Sequence, residues 1–352
     1  MIAQETKNKV ALMTKLIEGY LPFADSRIVP EHFNGFFAQQ EIDGDWISKD
    51  EYQDSENVID LRGSVLTDTA IEQGSLGVVN NYGIADLIIS SPRTFSNFVT
   101  KYHNKKWIQP VMPQVRDGVF GQRVNEIITQ NGAVEIMQSN FFKFSRLKRT
   151  NTLATSSKAP AAPVADTTTP AAAVSDATAR FANFTGDYYY AVTARNRYGE
   201  SALTLLSSNL VTVAAGQAVD LKFTAGTGAA NAATGFCIYR TKVNPNGTAA
   251  QSDFYKIFEV STKDLTSGYD GAAAGLVRDK NRFLPDCDQA LLVEWDADQV
   301  LAWKQLAPMM KMNLALLAPI SRFMVLCYGT PILYAPRKIV RVINIGDVIA
   351  TN

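Results

Sequence analysis

Histidine is nearly missing from this chain: His32 and His103 are the two present in 352 residues. A general base at neutral pH is most often histidine, so this scarcity counts against much of acid–base enzymology. Cysteine is almost as rare. Cys237, Cys287 and Cys327 are an odd number without close spacing, which excludes a disulfide framework or a zinc site and reads as buried thiols in a reducing compartment. Charge is sparse too, 19% of residues against roughly 25% in an average soluble protein. The 34 basic and 34 acidic side chains cancel, which argues against a nucleic-acid binder that works by neutralising phosphates. The short basic cluster Lys143, Arg146, Lys148 and Arg149 reads as a solvated loop. No apolar run reaches the roughly 18 residues of a membrane-spanning helix, and no signal peptide is expected. The N-terminus instead has the period of an amphipathic helix, with Val10, Met13, Ile17 and Tyr20 on one face.

Signatures of chemistry are missing as well. There is no phosphate-binding Gly-x4-Gly-Lys-Ser/Thr loop, Gly226-Thr227-Gly228 lacks the third glycine of a dinucleotide fingerprint, and no Gly-x-Ser-x-Gly elbow occurs. Glu294, Asp296 and Asp298 could hold a divalent cation if a strand ran through Asp298; the favoured reading is that Asp296 and Asp298 begin a helix carrying Val300, Leu301 and Trp303. Asp43 and Asp45 read as loop acids, and the triplets at Asn183 and Asn246 as chance matches to a glycosylation pattern. No catalytic, cofactor-binding or metal-binding residue is assigned, and the chain is not expected to be an enzyme.

What is present is a change of character along the chain. Residues 151–180 hold ten alanines, six threonines, three prolines and no aromatic residue, the composition of a linker or an extended edge. Residues 151–280 contain 27 alanines, while Trp46, Trp107, Trp295 and Trp303 all lie outside, as an inserted domain would leave them. Within the insert the period is two. Tyr188, Tyr190, Val192 and Ala194 share one face of a strand, Gly199 supplies a turn, and further strands cover 218–223, 235–241 and 254–260, the spacing of a β-sandwich. In the flanks, 67–81 suits a helix, 84–89 a strand, and Ser91-Pro92 opens a second helix with Phe95, Phe98, Val99 and Tyr102 as its stripe. Strands over 122–129 and 133–139 surround Asn131-Gly132, and strands follow at 290–295, 321–328, 332–334 and 339–345. Gly329-Thr330-Pro331 is expected to break the second of these from the third.

Two resemblances carry a function. The run Tyr190-Ala191-Val192-Thr193-Ala194-Arg195-Asn196 with Gly199-Glu200-Ser201, and the strand Cys237-Ile238-Tyr239-Arg240, resemble strands of fibronectin type III modules, an immunoglobulin-like sandwich. The helix opening Thr67-Asp68-Thr69-Ala70-Ile71-Glu72-Gln73-Gly74, the strand ending in Ser91-Pro92, the second helix, and the closing Tyr328-Gly329-Thr330, Ala335-Pro336-Arg337-Lys338 and Val342-Ile343-Asn344-Ile345-Gly346 resemble the major capsid proteins of tailed bacteriophages, the Hong Kong 97-type shell fold. This resemblance implies an α+β fold with a long spine helix, peripheral and axial domains, an extended loop, and an inserted all-β sandwich. It implies an N-terminal arm and extended loop over 1–66, a shell core over 67–150 and 281–352, and an exposed sandwich over 151–280. The implied function is self-assembly into the icosahedral shell of a double-stranded DNA phage, located in the virion and assembled in the bacterial cytoplasm. Implied partners are copies of itself in hexamers, with pentamers an option, plus portal, scaffolding or decoration proteins. Packaged DNA would be touched weakly, and no membrane or cofactor is involved. An encapsulin-type compartment and a sandwich that binds carbohydrate through Tyr188, Tyr189, Tyr190, Tyr198 and Tyr239 stay open as alternatives.

Physical demands point the same way: a shell needs many unreactive, net-neutral copies with wide contacts and reaching arms. Residues 22–63, acidic and without a helical period, are expected to pack on neighbours and not on their own core. Few packed contacts are expected between the insert and the rest.

Overall fold

The computed structural model describes residues 2–43, 46, 48–102, 126–142, 144–149, 153–206, 209–296, 298–314 and 323–347. The chain is α+β, and strands dominate. Its centre is a mixed six-stranded sheet in the order β1 (Val58–Asp60), β20 (Ile339–Ile345), β17 (Asp288–Val293), β2 (Leu87–Ser90), β4 (Gly132–Gln138) and β3 (Glu126–Thr129). β20 and β17 are buried at every residue, as strands covered on both faces must be.

Helices α4 (Asp68–Asn80) and α5 (Pro92–Tyr102) cover one face, where Ile71, Val78, Phe95 and Phe98 meet Ile88, Val134, Leu292 and Val340. The Thr67 side chain caps α4 by accepting from the Ala70 N–H at 3.1 Å. Ser91 does the same for α5, accepting from Thr94 N–H at 3.2 Å ahead of Pro92 in the first turn. Close approach of α4 to the sheet depends on two glycines. A Cβ on Gly74 would lie 2.8 Å from Leu292, and one on Gly77 would lie 2.9 Å from the Glu56 carbonyl.

The opposite face is covered by the N-terminal segment. After α1 (Ile2–Phe23), helix α2 (Phe36–Asp43) buries Phe36 and Phe37 against Leu87, Ile89, Leu291 and Val293, and α3 (Lys49–Gln53) buries Tyr52 against Val58 and Ile343. This overturns the expectation for 22–63. The segment packs on its own core, because its isolated large side chains meet partners some 300 residues away. Gln40 Nε2 donates to the Ile339 carbonyl at 2.7 Å, and Gln39 Nε2 to the Pro331 carbonyl at 3.0 Å.

Two further sheets form a separate β unit. One runs β10 (Gly199–Glu200), β9 (Tyr190–Asn196), β14 (Gly235–Arg240), β15 (Phe254–Ser261), β5 (Lys148–Arg149), with β11 (Thr204–Leu205) also on β9. The other centres on β13 (Gln217–Thr224), which pairs with β16 (Leu276–Asp279), β6 (Val164–Ala165) and β7 (Ala171–Ser175). β8 (Gly186–Tyr188) and β12 (Val211–Val213) form a small pair, and α6 (Thr262–Ser267) closes one end with a Ser261–Asp264 capping box. The alternation read from the sequence is realised: Tyr188, Tyr190, Val192 and Ala194 face Val219, Leu221, Phe223 and Val277 across one core. The 151–180 segment is extended edge, supplying β6 and β7.

At one end of that core lies a fully buried cation. Arg240 donates to Asp279 at 2.5 Å and to Asn281 Oδ1 at 2.5 Å, with its guanidinium beside the Phe181 and Tyr188 rings; the Tyr190 hydroxyl donates to the same Asp279 at 2.9 Å. Removing one member strands the other charge in low dielectric. Arg240→Met should therefore lower unfolding free energy by about 3–5 kcal/mol, and adding Asp279→Asn should recover part of it, as read by urea denaturation.

Candidate assembly surfaces

Between β17 and β20 the chain leaves the central sheet as a long ribbon, β18 (Leu301–Asn313) paired with β19 (Phe323–Leu333). The expected helix at Val300 and the expected break at Gly329-Thr330-Pro331 are both overturned. The Asp296 carboxylate accepts from Asp298 N–H at 2.8 Å and Gln299 N–H at 3.1 Å, closing a single turn from which β18 departs. β19 runs through Pro331 without interruption, because Pro331 and Gly329 sit in a two-stranded ribbon whose outer edge asks for no donor. Gly329 is needed there. The Trp303 indole lies over it, and a Cβ would come within 2.5 Å of the ring.

Among the described residues, it is the base of the ribbon that the rest of the chain holds. Leu301 and Leu333 are buried, Trp303 meets Phe33 edge-on at 5.8 Å between centroids, and the Leu333 N–H donates to Gln39 Oε1 at 2.9 Å. From Gln305 to Asn313 it extends on the order of 30 Å further. Leu306 is 89% exposed, and Met310, Met312, Met324 and Tyr328 are exposed as well. Other large apolar side chains stand free on α1 (Val10, Leu12, Leu16) and around the β3–β4 hairpin (Ile84, Ile128, Met137). Sequence reasoning placed the reaching element in 22–63 and missed the ribbon; the available signal was 301–314, which has seven large apolar side chains beside two lysines and no acid.

The residues examined for chemistry are scattered or already neutralised. Glu294 pairs with Lys338 at 2.8 Å, while Asp298 is exposed. His32 is half-buried beside the Tyr20 ring, and burial together with Arg195 keeps its pKa below the ordinary value. His103, Asp45 and Lys143 lie outside the described residues. Among the described residues no group of three His, Cys, Asp or Glu side chains could hold a metal ion. Cys237 and Cys287 are buried, Cys327 half-buried. Within the basic cluster Arg146 pairs with Asp288 at 2.5 Å and Arg149 with Glu200 at 2.5 Å, both mostly buried, whereas Lys148, paired with Asp253 at 2.5 Å, is solvated as expected. Of the five tyrosines considered for sugar stacking, Tyr188, Tyr189, Tyr190 and Tyr239 are buried and Tyr198 is exposed. A cavity of about 180 Å³ between α1 and the β unit is lined by Tyr20, Phe23, Ile28 and Phe141, with Lys256 and Glu259 at its polar end.

The junction between the β unit and the N-terminal segment is ionic and extensive, contrary to expectation. Asp50 of α3 receives Lys280 at 3.0 Å and Arg282 at 2.5 Å; Arg180 pairs with Asp54, and Lys49 lies 3.7 Å over the Tyr269 ring. Ile28 fills the space that a side chain on Gly235 would take.

On the face of the β unit that meets α1, the Glu259 side chain is largely buried beside Lys256 and Arg195. Burial alone would raise its pKa, but the two cations more than offset that and hold the carboxyl at about 2 against an ordinary 4.5. Asp288 under the central sheet is shifted the other way: its burial outweighs Ser91, Arg146 and Thr94, and its pKa is raised. The signs follow from linkage. Glu259 contributes stability above its unfolded value that is lost as pH falls from 4.5 toward 2, on the order of 3 kcal/mol, whereas Asp288 favours folding at low pH. Acid should therefore loosen the β unit before the central sheet. All tryptophans lie outside 151–280, so far-UV circular dichroism should change first and tryptophan fluorescence later; Glu259→Gln should flatten the early phase while lowering stability at neutral pH.

No protein-family model matches this chain, and neither does any curated protein.

Proposed function

We propose that this chain is a structural subunit that assembles with copies of itself into a closed shell, in the manner of the tailed-bacteriophage major capsid proteins it resembles. The observation that carries the reading is the β18–β19 ribbon. An isolated two-stranded ribbon is marginal in water, and one with exposed methionine, leucine and tyrosine side chains and, among the described residues, two open edges invites aggregation. Such an element is tolerated when a partner covers it throughout the working life of the protein. The exposed apolar side chains of α1 and the β3–β4 hairpin offer further contact area.

In this reading α4 is the spine helix, the central sheet and its helices are the shell wall, and the ribbon takes the reaching role that the sequence suggested for 1–66. The β unit within 151–280 is an outward-facing knob, clamped by Asp50 and Asp54 and so fixed in orientation. Shell function needs binding and no turnover, and the paired state of the charged clusters agrees with that. DNA enclosed by such a shell would meet a surface without a large basic field. The residence implied is the virion, after assembly in the bacterial cytoplasm.

Purified protein should sediment as large, closed particles and show round outlines by negative-stain electron microscopy, with double-stranded DNA as the contents after phage infection. Protein cargo in place of DNA would favour the compartment alternative, and a stable monomer at all concentrations would overturn the shell. Replacing residues 306–328 by an Asn-Gly turn keeps Gln305 paired with Gly329. That variant should remain folded, with its unfolding midpoint nearly unchanged, and should form no particles.

A further inference from the structure

The hairpin β3–β4 sets two like charges side by side. Glu126 stands directly opposite Glu135 in register, and Ile128 opposite Ala133. Carboxylates facing each other across a strand pair destabilise the hairpin that carries them. Both are exposed, and among the described residues no ion pair relieves them. Apolar surface borders the pair: Ile128 is 84% exposed, Met137 45%, and Ile84, beside the hairpin turn, 55%. The acidic character extends beyond the hairpin, since 68–90 and 126–138 together contain Asp68, Glu72, Asp86, Glu126 and Glu135 and not one lysine or arginine.

The ribbon is the opposite in sign. Lys304 and Lys311 are its charges, and neither strand contains an acid. The register places Thr330, Tyr328, Leu326 and Met324 across from Lys304, Ala307, Met310 and Met312. Successive β19 residues alternate faces, so these eight share one face, the two irregularities in β18 restoring its alternation. That face is apolar toward the tip and has one cation, Lys304, near the base. Its ammonium lies 5.8 Å over the Tyr334 ring, with no carboxylate paired to it among the described residues.

From this match we infer that the Lys304 face of the ribbon docks on the β3–β4 hairpin of a second copy of the chain, Lys304 lying between Glu126 and Glu135 while Tyr328 and the methionines cover Ile128 and Met137. The occupant is another copy because the two surfaces complement each other in both sign and polarity, and each carries what the other lacks. The contact joins two different surfaces and is head-to-tail, the kind that builds rings when the rotation closes. A single lysine relieves the repulsion of two glutamates, so the hairpin trades stability in the free subunit for a specific address. Methionine on the docking face lets it fit a second subunit at slightly different angles, as a curved array requires.

This inference rests on the shell reading, and the test separates the two. Lys304→Glu should raise the protein concentration needed for assembly by at least about tenfold. Glu126→Lys with Glu135→Lys should do the same. A chain carrying all three changes should assemble close to the parent level, because attraction is restored with signs exchanged. Circular dichroism and unfolding midpoints of each variant check that the subunits are folded, which the exposure of all three positions favours. Normal assembly of Lys304→Glu, or failure of the triple variant to recover, would overturn the docking while leaving the parent's particles, and hence the shell, standing. If the parent itself forms no particles, the shell reading falls and this docking falls with it.

Discussion

A two-stranded ribbon that outruns its anchorage governs how this molecule can exist. β18 and β19 are tied to the rest of the chain through Trp303, Leu301, Leu333 and the two hydrogen bonds of Gln39, and beyond that base, among the described residues, they have each other. Backbone pairing within one ribbon contributes little in water, and the exposed side chains of Leu306, Met310, Met312 and Tyr328 gain from burial only outside the subunit. The rest of the chain suits the same demand. Its central sheet is covered on both faces by α4 and α5 on one side and α2 on the other, giving a rigid base from which the ribbon projects.

Charge is handled in two distinct ways. Within the subunit, cations and anions are consumed locally: Arg240 with Asp279, Lys256 and Arg195 with Glu259, Arg146 with Asp288, and Lys280 and Arg282 with Asp50. The pairs to Asp50 fix the β unit on the N-terminal segment. At the periphery, signs are segregated, lysines on the ribbon and glutamates on the β3–β4 hairpin. A net charge of zero thus conceals a segregation of sign, which the proposed association between copies would use better than uniform neutrality.

Locally encoded features were legible in the sequence. Thr67 and Ser91-Pro92 announce the starts of α4 and α5, Asn131-Gly132 marks the β3–β4 hairpin although its two loop residues are Gln130 and Asn131, and the β-branched run at 339–345 matches β20 residue for residue. Alternation of Tyr188, Tyr190, Val192 and Ala194 identified the core face of the β unit. The misreadings share one physical cause, which is that distant partners decided the outcome. Phe36, Phe37 and Tyr52 show no helical period, yet they fold inward because Leu291, Val293 and Ile343 wait for them. Gly329-Thr330-Pro331 looks like a break, and becomes strand because Trp303 stacks on Gly329 and Gln39 takes the Pro331 carbonyl. The ionic strap from Asp50 to Lys280 and Arg282 spans about 230 residues, a separation over which spacing rules carry no information.

The central claim is that the ribbon lacks a partner in the free subunit and gains one between copies. Amide hydrogen exchange resolved over 301–313 and 323–333, compared before and after assembly, tests this most directly. The account predicts fast exchange beyond Gln305 in free subunits, beside slow exchange in β17 and β20, and strong protection of the ribbon in particles. Ribbon amides as slow as those of β17 in the free subunit, or unchanged by assembly, would contradict it.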